Sequence, residues 1–180
     1  LIDACDSASV LHLKPIVITA INTGMRKEEI LSLEWEKHID LENNFILLDK
    51  TKSGKRREIP INRTLRETLQ QIVMKINSPY VFSDNRGKRF KDVKKSFKTA
   101  CAKAGIKDFR FHDLRGTCCS HLVMSGVDLV TVKELMGHQS LEMVLRYVGL
   151  APNHKVKALK LLDDALSEKQ SIQKVYNLGK

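Results

Sequence analysis

The sequence predicts a mainly α-helical domain that carries one small, three-stranded antiparallel sheet, an α+β fold class. Apolar residues recur at helical spacing over most of the chain, and glycines follow several of these stretches where a helix C-cap is usual. One region in the first third of the chain instead shows two short apolar runs around a polar turn. At 180 residues, the chain is long enough to bury one core but short for two.

The first elements are two helices. Residues 11–23 form a largely apolar stretch that we expect to be a buried helix, and Gly24 stands at its C-cap. A second, short helix follows around Ile30. Arg26 lies at the start of this second helix, where backbone amides favour an anion.

The sheet is predicted from a hairpin pattern. Residues 45–48 and 58–61 are short apolar runs that flank a polar turn at residues 51–55. This pattern is typical of two antiparallel strands, and we expect residues 38–41 to supply a third.

The rest of the chain is predicted to be helical. Thr64 is the expected N-cap of the next helix, which ends before Pro79, and residues 84–87 form a turn. Further helices are expected over residues 90–104, 112–125, 128–136, 140–147 and 154–167. We therefore expect one domain over residues 1–168, followed by a tail over residues 169–180 that is mobile or docked on a neighbouring copy.

The charge balance indicates a polyanionic partner. The chain has 31 Lys and Arg residues against 21 Asp and Glu residues, a formal net charge of +10. Phosphate-rich nucleic acid is the partner we expect, and a basic solvated surface without a partner is the alternative. The four cysteines show no metal-ligand spacing, so reduced thiols in a cytosolic protein are the simpler interpretation. No apolar run approaches the length of a membrane span.

Six polar residues suit one kind of chemistry. In chain order they are Arg26, Lys52, His112, Arg115, His138 and Tyr147. Their contexts are the runs Thr-Gly-Met-Arg, Thr-Lys-Ser-Gly-Lys, His-Asp-Leu-Arg and Gly-His-Gln-Ser, followed by Arg-Tyr. Cleavage of a phosphodiester without a metal needs fixed cations on the non-bridging oxygens, a nucleophile and a proton donor. Arginine binds two oxygens with a planar fork, and a His-x-x-Arg pair shares one helix face.

This ordered set resembles the active site of the tyrosine recombinases, the phage integrase family. The resemblance covers roughly residues 11–165 and includes Trp35 and the turn at residues 51–55. It implies the family's catalytic-domain fold and a reaction that cuts and rejoins a DNA strand through a phosphotyrosine, without metal, ATP or another cofactor. We expect the DNA-clamping domain that precedes this one in the family to be absent from this chain, which begins at Leu1 rather than Met.

The resemblance also assigns roles. Arg26 and Arg115 bind the scissile phosphate, His138 hydrogen-bonds it, and Lys52 donates a proton to the leaving 5′ oxygen. Taken alone, Arg26 could instead be a surface residue that pairs with an acidic neighbour, Glu28 or Glu29. The rivals of Lys52 as proton donor are Lys50 and Lys55.

The nucleophile implied by the resemblance is Tyr147, which attacks the phosphorus to give a 3′-phosphotyrosine and a free 5′-hydroxyl. His112 is the base that assists its deprotonation. The chain departs from the family pattern at Gly116, where many members have a second histidine. That position is not among the family's six catalytic residues, so the predicted activity is unaffected.

Cations outside this set are expected to hold DNA phosphates, namely Lys55, Arg56, Arg57, Arg86, Lys88 and Arg89. The predicted partner is a double-stranded DNA recombination site, on which the full-length parent is expected to assemble as a tetramer. Two other functions remain open: a type IB topoisomerase, which shares the chemistry, and a DNA-binding regulator built on helix pairs. The regulator would have no use for the six-residue set. No histidine pair comes with a carboxylate or cysteine ligand set, so no metal is predicted.

Overall fold

The computed structural model describes residues 1–6, 12–48, 56–73, 78–150 and 159–166. Its helices, in chain order, are α1 (Leu13–Thr23), α2 (Lys27–Leu31), α3 (Trp35–His38), α4 (Arg63–Val73), α5 (Lys94–Lys103), α6 (Asp113–Met124), α7 (Leu129–Met136) and α8 (Glu142–Leu145). The strands are β1 (Ile39–Asp40), β2 (Phe45–Leu48) and β3 (Arg57–Pro60), and short 3₁₀ helices cover Asp3–Asp6 and Val148–Leu150. The predicted fold class, mainly helical with one small sheet, is confirmed.

The sheet has the predicted antiparallel topology. The strand order is β1-β2-β3, so each strand pairs with its neighbour in sequence. The third strand expected over residues 38–41 is present as β1, and β3 begins one residue earlier than predicted. The turn at residues 51–55 lies outside the described residues.

Strand β3 alternates between a buried and an exposed face. Arg57 and Ile59 are buried, whereas Glu58 and Pro60 are exposed. This alternation follows from the two-residue period of a strand. It directs the side chain of Arg57 into the protein rather than towards solvent.

Two glycines end helices where the sequence predicts them to do so, and these two helix ends lie against each other. Gly24 follows α1 with φ of 61°, and Gly137 follows α7 with φ of 62°. Both values lie in the left-handed region that favours glycine. A Cβ on Gly24 would lie only 2.5 Å from Sδ of Met136, so no side chain fits where the two helices meet.

The N-terminus of α4 differs from the prediction. The helix begins at Arg63, and the side-chain oxygen of Asn62 accepts a hydrogen bond from the backbone N–H of Leu65 at 3.0 Å. Asn62 is therefore the cap, and the assignment of Thr64 was wrong by two residues. Both residue types are good N-caps, so composition alone does not distinguish them.

Helix α5 is shorter than the predicted span of residues 90–104. An Asp92 carboxylate oxygen accepts hydrogen bonds from the N–H groups of Val93 and Lys94, at 2.8 and 3.2 Å. The same oxygen lies 2.7 Å from Nζ of Lys27, and this contact ties the start of α5 to α2. The N-cap residue of α5 is Val93, and the side chain of Asp92, one residue earlier, satisfies the N–H groups at the start of the helix, so the residues before Val93 lie outside it.

The buried residues form two clusters that meet at α6. The larger cluster is built from α1, α2, the sheet, α4 and α5, and includes Leu114 of α6. The smaller one contains Cys118 of α6 together with Val132, Met136 and Val144. Because Leu114 and Cys118 belong to different clusters, the turn of α6 between them lies at their junction.

Other sequence expectations concern thiols, metals and membranes. All four cysteines are free and buried, and burial raises the pKa of Cys118 to about 11. Within the described ranges, no three His, Cys, Asp or Glu side chains are grouped as a metal site. Among the described helices, none combines the length and apolar character that a membrane crossing requires.

The predicted helix over residues 154–167 is described in part. Residues 159–166 are helical and each of them is exposed, and the rest of this predicted helix lies outside the described residues.

Candidate active site

Arg115 joins the ends of two helices. It lies in α6, is 6% exposed, and donates hydrogen bonds to the backbone carbonyls of Gly24 and Met136. Burial, together with the charges of Arg26 and Arg57, lowers the pKa of Arg115 to about 10. The guanidinium therefore remains charged at neutral pH. These two bonds use only some of its five N–H donors, which leaves others for an anion.

Arg26 is held by a single carboxylate. Its backbone N–H donates to Oε2 of Glu29 at 2.8 Å, and its Nη1 donates to Oε1 at 3.0 Å. Burial favours the neutral form of Glu29, but the N–H of Arg26 and the charge of Arg57 outweigh it and keep the pKa below its usual value. The pairing of Arg26 with an acidic neighbour, which we considered as an alternative to phosphate binding, therefore exists. Arg26 is nevertheless half-buried and close enough to Arg115 for its charge to lower the pKa of that residue.

Arg57 has a position that the sequence analysis did not foresee. It is 8% exposed, and its Nη1 donates to the carbonyl of Met136 at 3.0 Å while its Nη2 donates to Oε2 of Glu29 at 3.0 Å. A Cβ on Gly137 would collide with its guanidinium. Strand alternation turns Arg57 inwards, unlike its exposed neighbour Arg56, and the assignment of Arg57 to DNA binding stays a prediction.

His138 directly follows the glycine that ends α7. Burial, and then the positive charges of Arg115, Arg26, Arg146 and Arg57, lower its pKa to about 4. The imidazole is therefore neutral at physiological pH and can donate one hydrogen bond and accept another. Its Nδ1 is buried, with no hydrogen-bond partner among the described residues. The side chain thus retains unused hydrogen-bonding capacity inside the site.

Tyr147 lies beside α6. It follows α8, packs against the smaller core cluster and is half-buried. A Cβ built on Gly116 would lie 3.3 Å from the phenolic oxygen of Tyr147. Gly116 is the next residue after Arg115, and His112 precedes Gly116 by one helical turn on the same face. The phenolic oxygen therefore lies over the first two turns of α6, the helix that also bears the buried Arg115 and that begins directly after the exposed His112.

Five of the six predicted catalytic residues are thus assembled around the start of α6. The sixth, Lys52, and its rivals Lys50 and Lys55 lie outside the described residues. Of the predicted DNA-binding cations that the structure describes, the exposed ones are Arg56, Arg86, Lys88 and Arg89. The last three lie around a turn in which Asp84 accepts hydrogen bonds from the N–H groups of Arg86 and Lys88, both at 2.9 Å.

The contacts of Glu29 and Arg57 within the site were not predicted from the sequence. Glu29 appeared only as a possible surface partner, yet it contacts both Arg26 and Arg57. The signal that could have found Arg57 is the strand period, because Arg57 and the apolar Ile59 share one face of β3.

Comparisons with known proteins identify the family to which the chain is similar. Residues 1–154 match the sequence profile of the Phage integrase family. The chain is 34% identical over 178 residues to the integrase of Salmonella phage P22, with 91% of this chain and 44% of that protein covered. It is 32% identical over 163 residues to the integrase of Haemophilus phage HP1, with 89% and 44% covered. The chain therefore spans less than half the length of these relatives.

The fold of the chain is also similar to that of a solved structure. The solved catalytic domain of bacteriophage HP1 integrase superimposes with a TM-score of 0.67 at 31% identity, covering 88% of this chain and 87% of that one. The order of the six residues, the cluster around α6 and these matches lead to one conclusion: the chain belongs to the phage integrase family.

Proposed function

We propose that residues 1–168 are the catalytic domain of a site-specific DNA recombinase that breaks and rejoins strands through Tyr147. The observation that carries the proposal is that the phenolic oxygen lies 3.3 Å from where a Cβ of Gly116 would be, on α6, the helix that also supplies the buried guanidinium of Arg115. Phosphoryl transfer to a protein side chain requires a nucleophile and a fixed cation in one site.

The proposed reaction conserves the phosphodiester bond energy. The phenolate of Tyr147 attacks the phosphorus, a bond to the tyrosine oxygen forms, and the bond to the 5′ oxygen breaks. The leaving oxygen takes a proton from Lys52, so the products are a 3′-phosphotyrosine and a free 5′-hydroxyl. After strand exchange, a 5′-hydroxyl attacks the phosphotyrosine and releases the tyrosine. Because each step exchanges one phosphate ester for another, the proposed reaction needs neither ATP nor a metal.

The cations and the histidines have separate tasks in this proposal. Arg115 and Arg26 stabilise the charge that develops on the non-bridging oxygens. His138, neutral because burial and neighbouring arginines lower its pKa to about 4, donates a hydrogen bond to the same phosphate. His112, exposed and one turn from Gly116, accepts the phenolic proton of Tyr147.

Double-stranded DNA is the proposed partner. The net charge of +10 and the exposed cations Arg56, Arg86, Lys88 and Arg89 support electrostatic binding to phosphates, and we include Lys55 in this set. We further propose that the full-length parent assembles as a tetramer on DNA through its C-terminal region. The exposed leucines of the helix at residues 159–166 support this assembly. Sedimentation of DNA complexes with and without residues 159–180 tests it: unchanged complex size would argue against this segment.

The decisive experiment detects the covalent adduct. The DNA probe is a library of nicked duplexes with randomised arms, and adducts that resist denaturation are isolated and sequenced. We expect Tyr147→Phe to abolish the adduct while DNA affinity stays nearly unchanged, because many cations hold the polyanion. Tyr80→Phe is the matched control: Tyr80 is a half-buried tyrosine beside Glu34 in an isolated β-bridge, and its hydroxyl should not be needed.

Two outcomes would contradict the proposal. An adduct that persists in Tyr147→Phe would assign the nucleophile to another residue. Specific DNA binding by the wild-type chain without any adduct would favour the non-enzymatic regulator instead.

A further inference from the structure

Burial of the charged Arg57 side chain has a free-energy cost, and packing alone does not account for an arginine at this position. Of the charged side chains that the structure describes, only Arg57 and Arg115 are buried. Moving a charge out of water is unfavourable unless hydrogen bonds and an opposite charge compensate, and a buried ion pair often adds no more stability than apolar residues of the same size. Stability is therefore a weak reason for an arginine at this position.

The two terminal nitrogens of Arg57 reach two separate parts of the site. Nη2 donates to Oε2 of Glu29 at 3.0 Å, and that same oxygen accepts the backbone N–H of Arg26 at 2.8 Å. The other oxygen of Glu29 accepts from Nη1 of Arg26 at 3.0 Å. Arg57 therefore fixes the carboxylate that in turn fixes both the backbone and the guanidinium of Arg26.

The other terminal nitrogen acts at the end of α7. Nη1 of Arg57 donates at 3.0 Å to the carbonyl of Met136, the oxygen that also accepts a hydrogen bond from Arg115. His138 is only two residues further along the chain. The absence of a side chain at Gly137 permits this approach, because a Cβ there would collide with the guanidinium.

We propose that Arg57 is a positioning residue for DNA strand cleavage, which holds Arg26 through Glu29 and holds Arg115 and His138 through the carbonyl of Met136. This inference rests on the proposed function. Arg57 acts through its neighbours, so its removal should reduce the rate of the chemical step more than the affinity for DNA. A planar guanidinium reaches both acceptors at once, whereas a lysine ammonium is a compact charge that reaches one of them well.

Arg66 offers a matched control for a merely structural arginine. It is half-buried in α4, donates to the carbonyl of Leu41 at 2.9 Å, and also contacts the side chain of Asn44. These partners lie at the turn between β1 and β2, in a part of the described chain away from α6. Loss of Arg66 should therefore lower thermal stability without changing the rate of cleavage in the folded protein.

The experiment measures the rate of adduct formation in a single turnover, with the protein in saturating excess over the DNA. The DNA is the nicked duplex that the wild-type chain selects from the library. Wild type, Arg57→Met, Arg57→Lys and Arg66→Met are compared for cleavage rate, DNA affinity and melting temperature. We expect Arg57→Met to cleave about 100-fold more slowly, because small displacements of catalytic groups have effects of this size. Its affinity should stay within about threefold of wild type, and Arg57→Lys should recover part of the rate.

A second substrate, with sulfur at the bridging 5′ position, shows whether Arg57 supports proton donation to the leaving group or binding of the phosphate. Sulfur leaves without a proton, so a defect in proton donation disappears and a defect in phosphate binding remains. We expect Arg57→Met to stay slow on both substrates. Complete rescue by sulfur would overturn the proposal, as would a cleavage rate within about threefold of wild type.

Folding and the proposed function are controlled separately. If Arg57→Met is unfolded at the assay temperature, Arg57→Lys decides: a wild-type rate overturns the proposal, and a slower rate at unchanged affinity supports it. The proposal is also overturned if the cleavage rate of Arg57→Met falls only in proportion to the fraction of folded protein, which is the result expected for Arg66→Met. If the wild-type chain forms no adduct with any member of the library, the proposed function fails and this inference fails with it.

Discussion

Tyr147 and Gly116 are neighbours across the interface between α6 and the segment after α8. The position that a Cβ would take on Gly116 is 3.3 Å from the phenolic oxygen, closer than most side-chain contacts. A helix interior is an unfavourable place for glycine. In this chain, the missing side chain leaves room over α6 for the oxygen of the proposed nucleophile.

Gly116→Ala should therefore separate stability from activity. Alanine favours helix by up to about 1 kcal/mol relative to glycine, so the melting temperature should rise. The added methyl group displaces the phenolic oxygen by a few tenths of an ångström, and we expect adduct formation to slow by roughly tenfold. Ser120→Ala, one turn further along α6, is the control and should leave the rate unchanged. A faster Gly116→Ala variant would contradict the proposed position of the nucleophile.

Lysine should not replace either phosphate-binding arginine. We expect Arg115→Lys to slow cleavage by roughly 100-fold or more, and also to lower the melting temperature, because a compact ammonium does not reproduce the planar fork that bonds the carbonyls of Gly24 and Met136. Arg26→Lys should slow cleavage with a smaller loss of stability, since Arg26 is only half-buried. Single-turnover rates and thermal melts measure both effects. A wild-type rate in either variant would count against a phosphate clamp.

Lys52→Ala should be rescued by a substrate whose bridging 5′ oxygen is replaced by sulfur. A thiolate leaves without a proton, so the absence of a general acid no longer matters. Arg115→Lys is the internal contrast, because it should stay slow on both substrates. If Lys52→Ala cleaves the oxygen and sulfur substrates equally slowly, another residue is the general acid, and Lys55 and Lys50 would be tested next.

His138 should make folding stability depend on pH. Burial, followed by the charges of nearby arginines, lowers its pKa in the folded state to about 4, whereas an unfolded histidine has a pKa of about 6.5. Between these values the unfolded chain binds more protons, so stability falls as pH falls from about 6.5 to about 4. In His138→Gln this contribution is absent. When melting temperature is plotted against pH, the curves of wild type and His138→Gln should therefore diverge or converge as pH falls from about 6.5 to about 4. Parallel curves would mean that His138 titrates normally in the folded protein.

Two glycines with nearly the same positive φ allow backbone strain and steric exclusion to be measured separately. Gly105 has φ of +67° with nothing within 4 Å of a Cβ, whereas Gly137 has φ of +62° and a Cβ there would meet Arg57. Gly105→Ala should cost about 1 kcal/mol in unfolding free energy from backbone strain alone. Gly137→Ala should cost clearly more and should also slow cleavage. Equal costs in chemical denaturation would show that Arg57 moves aside freely.

Local signals explain what the sequence could predict. Helix ends at Gly24 and Gly137 and the hairpin flanks follow from a few neighbouring residues, and the structure confirms them. The contacts of Arg57 are different in kind, because they join residues 28 and 79 positions apart. Two adjacent arginines look alike in sequence, yet Arg56 is exposed and Arg57 buried. Only the register of β3 distinguishes them.

The family motifs could be placed in advance, but their relative geometry could not. The order of the six residues predicts a shared site. The contact between Tyr147 and α6 depends instead on how α7 packs against α6, how α8 packs against α7, and how the 3₁₀ helix Val148–Leu150 packs against α6. The shared acceptor at Met136 likewise arises from packing, because any residue there would offer the same backbone carbonyl.

The carbonyl of Met136 has an electrostatic consequence for an incoming anion. A backbone oxygen immobilises a guanidinium but carries no net charge, so Arg115 is fixed by Gly24 and Met136 without being neutralised. Arg26, by contrast, shares its charge with the carboxylate of Glu29. The two arginines are therefore unequal attractors. We therefore expect Arg115 to attract an incoming phosphate more strongly than Arg26 does.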